Sequence, residues 1–519
     1  MISSVRDFHQ RNRHSLRSLL RFALYLLAFF LICMTYWVGD NFGEPQLEQV
    51  LYHIQFGMEG LVDTDAELIK SFINIAVILP ISCALLLVLL ETAIGLFLTH
   101  GSKHRLAKIV SVANVSLLRG IYWAIGHRAP IYSFIIAMAY FGAQFSILAF
   151  LHNQFGKDYF AENYVYPAKV AISPIKPKNL VLIYVESLED SYQNPKVFGR
   201  NLLQSLDKLG GISFKNYRQA PGTGWTIAGI TSTQCALPLK SVSLYDGNGI
   251  GENIKTFLPN AVCLGDVLHG FGYHNVYMGS DALAFSGKGK FFQDHHYDEV
   301  YGKDELRGEL TDAEMNDWGL YDDDLLVKVK AKLIELHDAQ RPFNLTITTI
   351  DTHGPDGFFS KRCKQDGAKD FAGIVECTSN QVAELVQFIK KSGYIKNTNV
   401  VILGDHLAMY NPVYDKLDKL PARHVYNRMI SRTPLTKSRD NVLHFDMFPT
   451  ILEFMGFKIQ GGRLGLGFNA ISKDAVAPSP NEFEEMNEDL LNQSDEYLDL
   501  WKPQEPATQQ DIPKTDTLH

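Results

Sequence analysis

Basic residues are the scarcer charge in this chain: 49 Lys and Arg stand against 57 Asp and Glu, a formal net charge of -8 at pH 7. No basic stripe interleaved with aromatics occurs after Leu151, which argues against a nucleic-acid-binding surface. Cysteine is sparse too. Six occur in 519 residues and none in a Cys-x-x-Cys spacing, so a cysteine-based zinc module is disfavoured. No internal repeat marks a solenoid or propeller. Charge itself is almost missing from residues 22–38, 71–98 and 131–151, each long enough to cross a bilayer.

Those three runs make residues 1–151 a transmembrane anchor. Arg6, Arg11, Arg13, Arg17 and Arg21 precede the first run and keep that end in the cytoplasm. No small-residue cleavage site follows it, so the run is retained rather than removed as a signal peptide. Asp40, Glu44, Glu48, Glu59, Asp63, Asp65 and Glu67 crowd the first loop against Lys70 alone, whereas residues 99–129 carry five bases and no acid. Alternating outer and inner loops explain that asymmetry. Lys108 and Arg119 make residues 106–126 an amphipathic helix on the inner surface rather than a fourth span. Three spans place everything after residue 151 outside a bacterial inner membrane, in the periplasm. Glu91, inside the second span near its inner end, reads as a solvated or paired carboxylate.

Cys33 and Cys83 fall within spans, leaving Cys235, Cys263, Cys363 and Cys377 outside. In an oxidising compartment these would pair, most economically as Cys235 with Cys263 and Cys363 with Cys377, although four cysteines allow three pairings.

Residues 152–178 form a polar connector containing Pro and Lys. Residues 179–185 are then continuously apolar and β-branched up to Glu186, the pattern of a buried parallel strand. Similar runs at 274–278, 343–350 and 399–403, with helical stretches at 322–336 and 378–392, predict an α/β sheet with helices on both faces over residues 179–472. Polar residues follow three of these strands: Glu186, then Asp351 and His353, then Asp405 and His406. Ligands collect at the carboxyl ends of strands in such sheets. Residues 473–519, with twelve acids against three bases, read as a largely disordered acidic tail in which a short helix over 482–501 could dock.

Asp405, His406 and Glu186 offer mixed oxygen and nitrogen ligands suited to one divalent ion, Mn²⁺ or Zn²⁺. The Gly-rich segment 220–229 contains Thr223 and Thr226 and leads into a helix whose N-terminus would face an anion. A threonine that merely caps the turn fits that composition equally well. A threonine hydroxyl needs a metal or base to become a nucleophile, and the three ligands supply one. His353 could hydrogen-bond a phosphoryl oxygen or protonate a leaving group.

Several stretches together resemble the alkaline-phosphatase and sulfatase superfamily. They are Tyr184-Val185-Glu186-Ser187-Leu188-Glu189, Pro221-Gly222-Thr223 with Thr226-Ile227-Ala228-Gly229, Asn316-Asp317-Trp318-Gly319, Asp351-Thr352-His353 with Pro355-Asp356-Gly357-Phe358, and Asp405-His406-Leu407-Ala408-Met409. Within it the likeness is to the membrane-anchored phosphoglycerol and phosphoethanolamine transferases and the lipoteichoic acid synthases, above all to the phosphoglycerol transferase I group that decorates osmoregulated periplasmic glucans. It covers roughly residues 178–470.

The resemblance implies a sulfatase-like sheet in which Glu186, Thr226, Asp405 and His406 form the metal site. Thr226 is also the nucleophile, His353 and Lys288 contact substrate phosphate, and the four outer cysteines occupy matching positions. Two departures stand out. The group has an arginine where this chain has Ala284, and it continues well past the counterpart of Trp501.

The implied reaction is transfer of glycerophosphate from phosphatidylglycerol to a periplasmic glucan or other glycan through a phosphothreonine ester, releasing diacylglycerol. Phosphoethanolamine transfer to lipid A or a glycan, phosphodiester hydrolysis, and a non-catalytic membrane-anchored binding protein are the alternatives. A sulfatase activity is disfavoured, because no Cys-x-Pro-x-Arg or Ser-x-Pro-x-Arg segment for formylglycine formation occurs.

Overall fold

The computed structural model describes residues 2–42, 66–100, 128–147, 156–240, 256–472 and 479–502. The interfacial helix expected over 106–126 and most of the acidic first loop lie outside them. The chain divides into two compact units, residues 1–47 with 65–151 and residues 48–64 with 152–519.

In the first unit, Ser18–Asn41 and Ile69–Ile94 are long and apolar enough to cross a membrane. The second widens into a π-helical turn, Ile73–Ile78, just ahead of Pro80. Proline lacks the N–H and crowds the preceding turn, and a widened turn accommodates both. The third apolar run is helical over Ala129–Gln144, about 24 Å at 1.5 Å per residue, and residues 148–151 of the expected span are outside the described set. Glu91 is paired: its carboxylate accepts from the Tyr25 hydroxyl at 2.5 Å and meets Arg21 at 2.9 Å.

The second unit is built on a six-stranded sheet. Its strands are β1 (Asn179–Val185), β2 (His274–Gly279), β3 (Glu299–Tyr301), β4 (Phe343–Thr348), β5 (Thr398–Gly404) and β6 (Asn427–Ile430), in the order β3-β2-β4-β1-β5-β6. β1 runs parallel to both neighbours, and only the edge strand β6 is antiparallel. Side chains alternate between faces along a strand, so the unbroken apolar runs serve two cores. Leu180, Leu182 and Tyr184 meet helices α1 (Thr226–Cys235), α2 (Leu264–Gly270) and α5 (Met447–Phe454). Val181, Ile183 and Val185 meet α3 (Asp322–Asp338) and α4 (Phe371–Lys391). Helix α4 begins earlier than its apolar periodicity indicates, because the Asp370 side chain caps it by accepting from Gly373 N at 2.8 Å.

Two stretches of polar composition are packed, the connector and the part of the acidic tail where a docking helix over 482–501 is expected. In the connector, Tyr159, Phe160 and Tyr164 are buried, and Ile172–Pro174 pairs with Phe457–Ile459. In the acidic tail, Pro480–Asp489 and Asp495–Asp499 are helices whose Met486 and Tyr497 join Leu490, Leu500 and Trp501 in the α1-side core. Few large apolar residues among many acids suffice, since these few share one buried side. Residues 473–478 and 503–519 are outside the described set. Both economical disulfides are closed, Cys235–Cys263 and Cys363–Cys377.

Candidate metal centre and nucleophile

Glu186 follows the last residue of β1, and Asp405 and His406 follow β5, the adjacent parallel strand. Parallel pairing therefore carries three ligand types to one edge of the sheet. All three are buried, and their ligand atoms lie within 4.8 Å of one another. Ser187 adopts φ +54°, an uncommon left-handed conformation for a side-chain-bearing residue. In that turn its N–H donates to Asp405 Oδ1 at 2.8 Å and its hydroxyl donates to Glu186 Oε1 at 2.6 Å. The backbone strain at Ser187 is thus offset by two bonds that orient both carboxylates.

Thr226 is the first residue of α1, and its Oγ1 donates to Glu186 Oε2 at 3.2 Å. Helix α1 reaches the strand ends through Gly229, where an added Cβ would stand 2.0 Å from the Asp405 carbonyl oxygen. Only glycine permits that approach.

His406 Nδ1 donates to the Leu407 carbonyl at 2.8 Å, which leaves Nε2 as the free ring nitrogen. Nε2 is 3.4 Å from Glu186 Oε1 and 3.5 Å from Asp405 Oδ2 and makes no hydrogen bond among the described residues. A buried nitrogen without a hydrogen bond, faced by two carboxylates, is the signature of a place for a cation. Electrostatics agree. Burial and the Glu186 charge push Asp405 up to about 7. Burial opposes a charge on His406, yet Asp405 and Glu186 carry it up to about 10. Burial likewise opposes Glu186, but the neighbouring His406 and His353, with the Ser187 hydroxyl, hold its carboxyl well below the ordinary carboxylate range. The cluster draws in positive charge, and a divalent ion fits its donor set, burial and free nitrogen.

His353 is joined to the same region through its neighbour, since Thr352 Oγ1 donates to the Glu186 carbonyl at 2.6 Å. Its Nδ1 donates to Gly354 O at 2.6 Å, and Trp318 packs over the ring at a centroid distance of 4.4 Å. Behind it Asp351 is fully buried with neither carboxyl oxygen hydrogen-bonded among the described residues. Burial and Asp322 push its pKa well above the usual range. Lys288 comes after β2, whose exit is on the same edge of the parallel sheet, and is buried in an ion pair with Asp281. Ala284 opens the turn Phe285–Gly287 that leads to it.

Three supporting residues have no role in the sequence reading. Arg423 donates to Glu189 Oε2 at 2.8 Å and to the Ala408 carbonyl at 2.6 Å, tying the β1 exit to the β5 exit. Asp322 accepts from Ile350 N at 2.8 Å and holds the β4 exit. Trp318 lies in a recognised stretch, but only the fold shows what it touches.

The sulfatase family model matches residues 178–457. Phosphoglycerol transferase I of Shigella flexneri is 33% identical over 356 residues, covering 66% of this chain and 45% of the relative. The Escherichia fergusonii protein of the same name is 34% identical over 355 residues, with the same coverage of each. The chain thus spans less than half the length of these curated relatives. Among solved structures, an alkaline phosphatase superfamily protein from Vibrio parahaemolyticus aligns at 18% identity and a TM-score of 0.45, covering 62% of this chain and 77% of that one. The lipooligosaccharide phosphoethanolamine transferase A of Neisseria meningitidis aligns at 13% identity and a TM-score of 0.45, covering 84% of each chain. The family model takes in more than half of the chain and all of the strand-end cluster, and the chain belongs to the sulfatase family.

Proposed function

We propose that this chain is a membrane-anchored transferase that moves glycerophosphate from phosphatidylglycerol to a periplasmic glucan or other glycan. The observation that carries the reading is the Thr226 hydroxyl bonded to Glu186 within the buried Glu186, Asp405 and His406 cluster. Identity to phosphoglycerol transferase I proteins supports the choice of donor.

Glu186, Asp405, His406 and Thr226 would hold one Mn²⁺ or Zn²⁺, which supplies Lewis-acid stabilisation of negative charge on oxygen. Glu186 accepts the hydrogen bond of Thr226 and so holds the nucleophile's hydroxyl at the strand-end cluster. Threonine oxygen bonds to phosphorus, the bond to the diacylglycerol oxygen breaks, and the threonine proton is balanced by protonation of diacylglycerol. An acceptor hydroxyl then forms the new phosphodiester and the Thr226 hydroxyl is restored. With Nδ1 engaged by Gly354, His353 has Nε2 to hydrogen-bond a phosphoryl oxygen. Lys288 has its charge paired with Asp281 and would bind phosphate as part of that pair. The anchor keeps the unit beside a donor confined to the membrane and raises its effective concentration.

The test is mass spectrometry of the Thr226 peptide after incubation with phosphatidylglycerol or phosphatidylethanolamine. A glycerophosphate adduct is expected with the first, and Thr226→Ala is expected to release no diacylglycerol. An ethanolamine phosphate adduct alone would reassign the donor. Undiminished diacylglycerol release by Thr226→Ala would end the mechanism.

A further inference from the structure

A second group of ligand atoms lies away from the β1 and β5 exits, at the far end of the nucleophile's helix. Cys235 is the last residue of α1, Cys263 is the N-cap of α2, and His295 caps the helix Lys288–Asp294 at its C-terminus. Their two sulfurs and one ring nitrogen lie within 4.8 Å of one another and all three residues are buried. His295 Nδ1 donates to Asp266 Oδ2 at 2.8 Å, so in the neutral ring Nε2 carries the lone pair, and it faces Cys263 Sγ at 3.7 Å. A disulfide sulfur has no proton to offer that nitrogen. The same Asp266 oxygen accepts from Cys263 N at 2.7 Å, which fixes carboxylate, imidazole and cysteine as one unit. Histidine backed by a carboxylate and turned toward thiols is the arrangement that binds zinc. The other disulfide differs: Gln381 Nε2 lies 3.7 Å from Cys363 Sγ and 3.4 Å from Cys377 Sγ, an amide donor that cannot replace imidazole as a metal ligand.

We infer that in the dithiol form preceding disulfide closure, Cys235, Cys263 and His295 constitute a second metal site for a thiophilic divalent cation such as Zn²⁺, with Asp266 fixing the His295 ring. Two thiols bind the cation and release two protons. Disulfide closure of the same pair instead gives up two electrons and two protons to an external disulfide oxidant, which becomes its dithiol. The two fates exclude each other. Either one ties the C-terminus of α1, the helix that presents Thr226, to the start of α2, so the cation holds this clamp before oxidation does. The inference does not depend on which group Thr226 transfers.

The full-length chain carrying Cys33→Ser and Cys83→Ser, reduced under anaerobic conditions and titrated with Co²⁺, tests it. The strand-end cluster has no sulfur, so a thiolate-to-cobalt charge-transfer band reports only the cysteines. One band-forming equivalent per chain is expected after reduction and none before it. Cys363→Ala with Cys377→Ala keeps the band, and Cys235→Ala with Cys263→Ala loses it. Asp266→Asn weakens binding by about 10- to 100-fold, and His295→Ala weakens it further. Bound Zn²⁺ slows reoxidation of the Cys235–Cys263 pair, read by alkylation and mass spectrometry, without slowing Cys363–Cys377. Absence of the band, its survival without Cys235 and Cys263, or unchanged affinity in His295→Ala would overturn the assignment. So would a loss of far-ultraviolet circular dichroism on reduction that Zn²⁺ does not restore.

Discussion

His406 and Asp405 make the strand-end cluster a proton holder whenever no other cation is in it, and this has a measurable cost for metal binding. His406, held up to about 10, carries a proton at neutral pH, and Asp405, pushed to about 7, is near half-protonated there. Ligands bind metal only when deprotonated. Affinity for Zn²⁺ or Mn²⁺ is therefore expected to rise with pH, by about tenfold per unit between the two pKa values and by about a hundredfold per unit below the lower one, as one or two protons are displaced. Calorimetry in buffers of different ionisation enthalpy counts those protons, and an affinity independent of pH between 6 and about 9 would sink the three-residue site. The candidate ligands Glu186, Asp405 and His406 stand out in the sequence because they lie just past the ends of buried apolar runs. Arg423 is not legible: its partner Glu189 lies 234 residues away, and nothing local distinguishes that arginine from a solvated one. Trp318 and Asp322 are hidden for the same reason, since their partners belong to the β4 exit.

Helix α1 is where element packing becomes chemistry, because its distance from β5 sets the distance from Thr226 to Glu186. A methyl group at Gly229 would collide with the Asp405 carbonyl, a backbone atom that cannot move without shifting Asp405 itself. Gly229→Ala is expected to displace α1 and lower turnover by about a hundredfold, the cost of a misplacement near 1 Å, while both disulfides still form. Near-normal turnover in that variant, measured as diacylglycerol release, would show that the helix reaches the site differently. Among the elements, the four strands legible as apolar runs all form, because a strand buried on both faces leaves an uninterrupted signal. β3 and β6 do not announce themselves, being edge strands of three and four residues, too short to leave a pattern. The helix expected over 482–501 forms as two, Pro480–Asp489 and Asp495–Asp499, with Ser494 capping the second and the Tyr497 hydroxyl donating to the Pro238 carbonyl at 3.0 Å, although the many acids there hide how much of the tail is packed. Composition averages over residues, whereas docking depends on the few that share a side.

At the scale of the whole molecule, one unit carries the apolar helices and the other carries the cluster, and their separation follows the boundary near residue 151 where hydropathy falls. Orientation rests on charge alone: arginines before the first apolar run, acids after it, bases in the next loop. If the second unit is periplasmic, a cysteine placed on its surface meets reagents that never enter the cytoplasm. Val327 on α3 is 71% exposed and serves for that purpose. With Cys33→Ser and Cys83→Ser removing the span thiols, Val327→Cys is expected to react with a membrane-impermeant maleimide in intact spheroplasts, and Arg11→Cys only after permeabilisation. The reverse pattern would place the catalytic unit in the cytoplasm. A periplasmic glycan acceptor would then be out of reach, and the disulfides would have to form in a reducing compartment. The labelling experiment therefore bears on topology, acceptor and cysteine chemistry at once, since all three depend on which side of the membrane Thr226 faces.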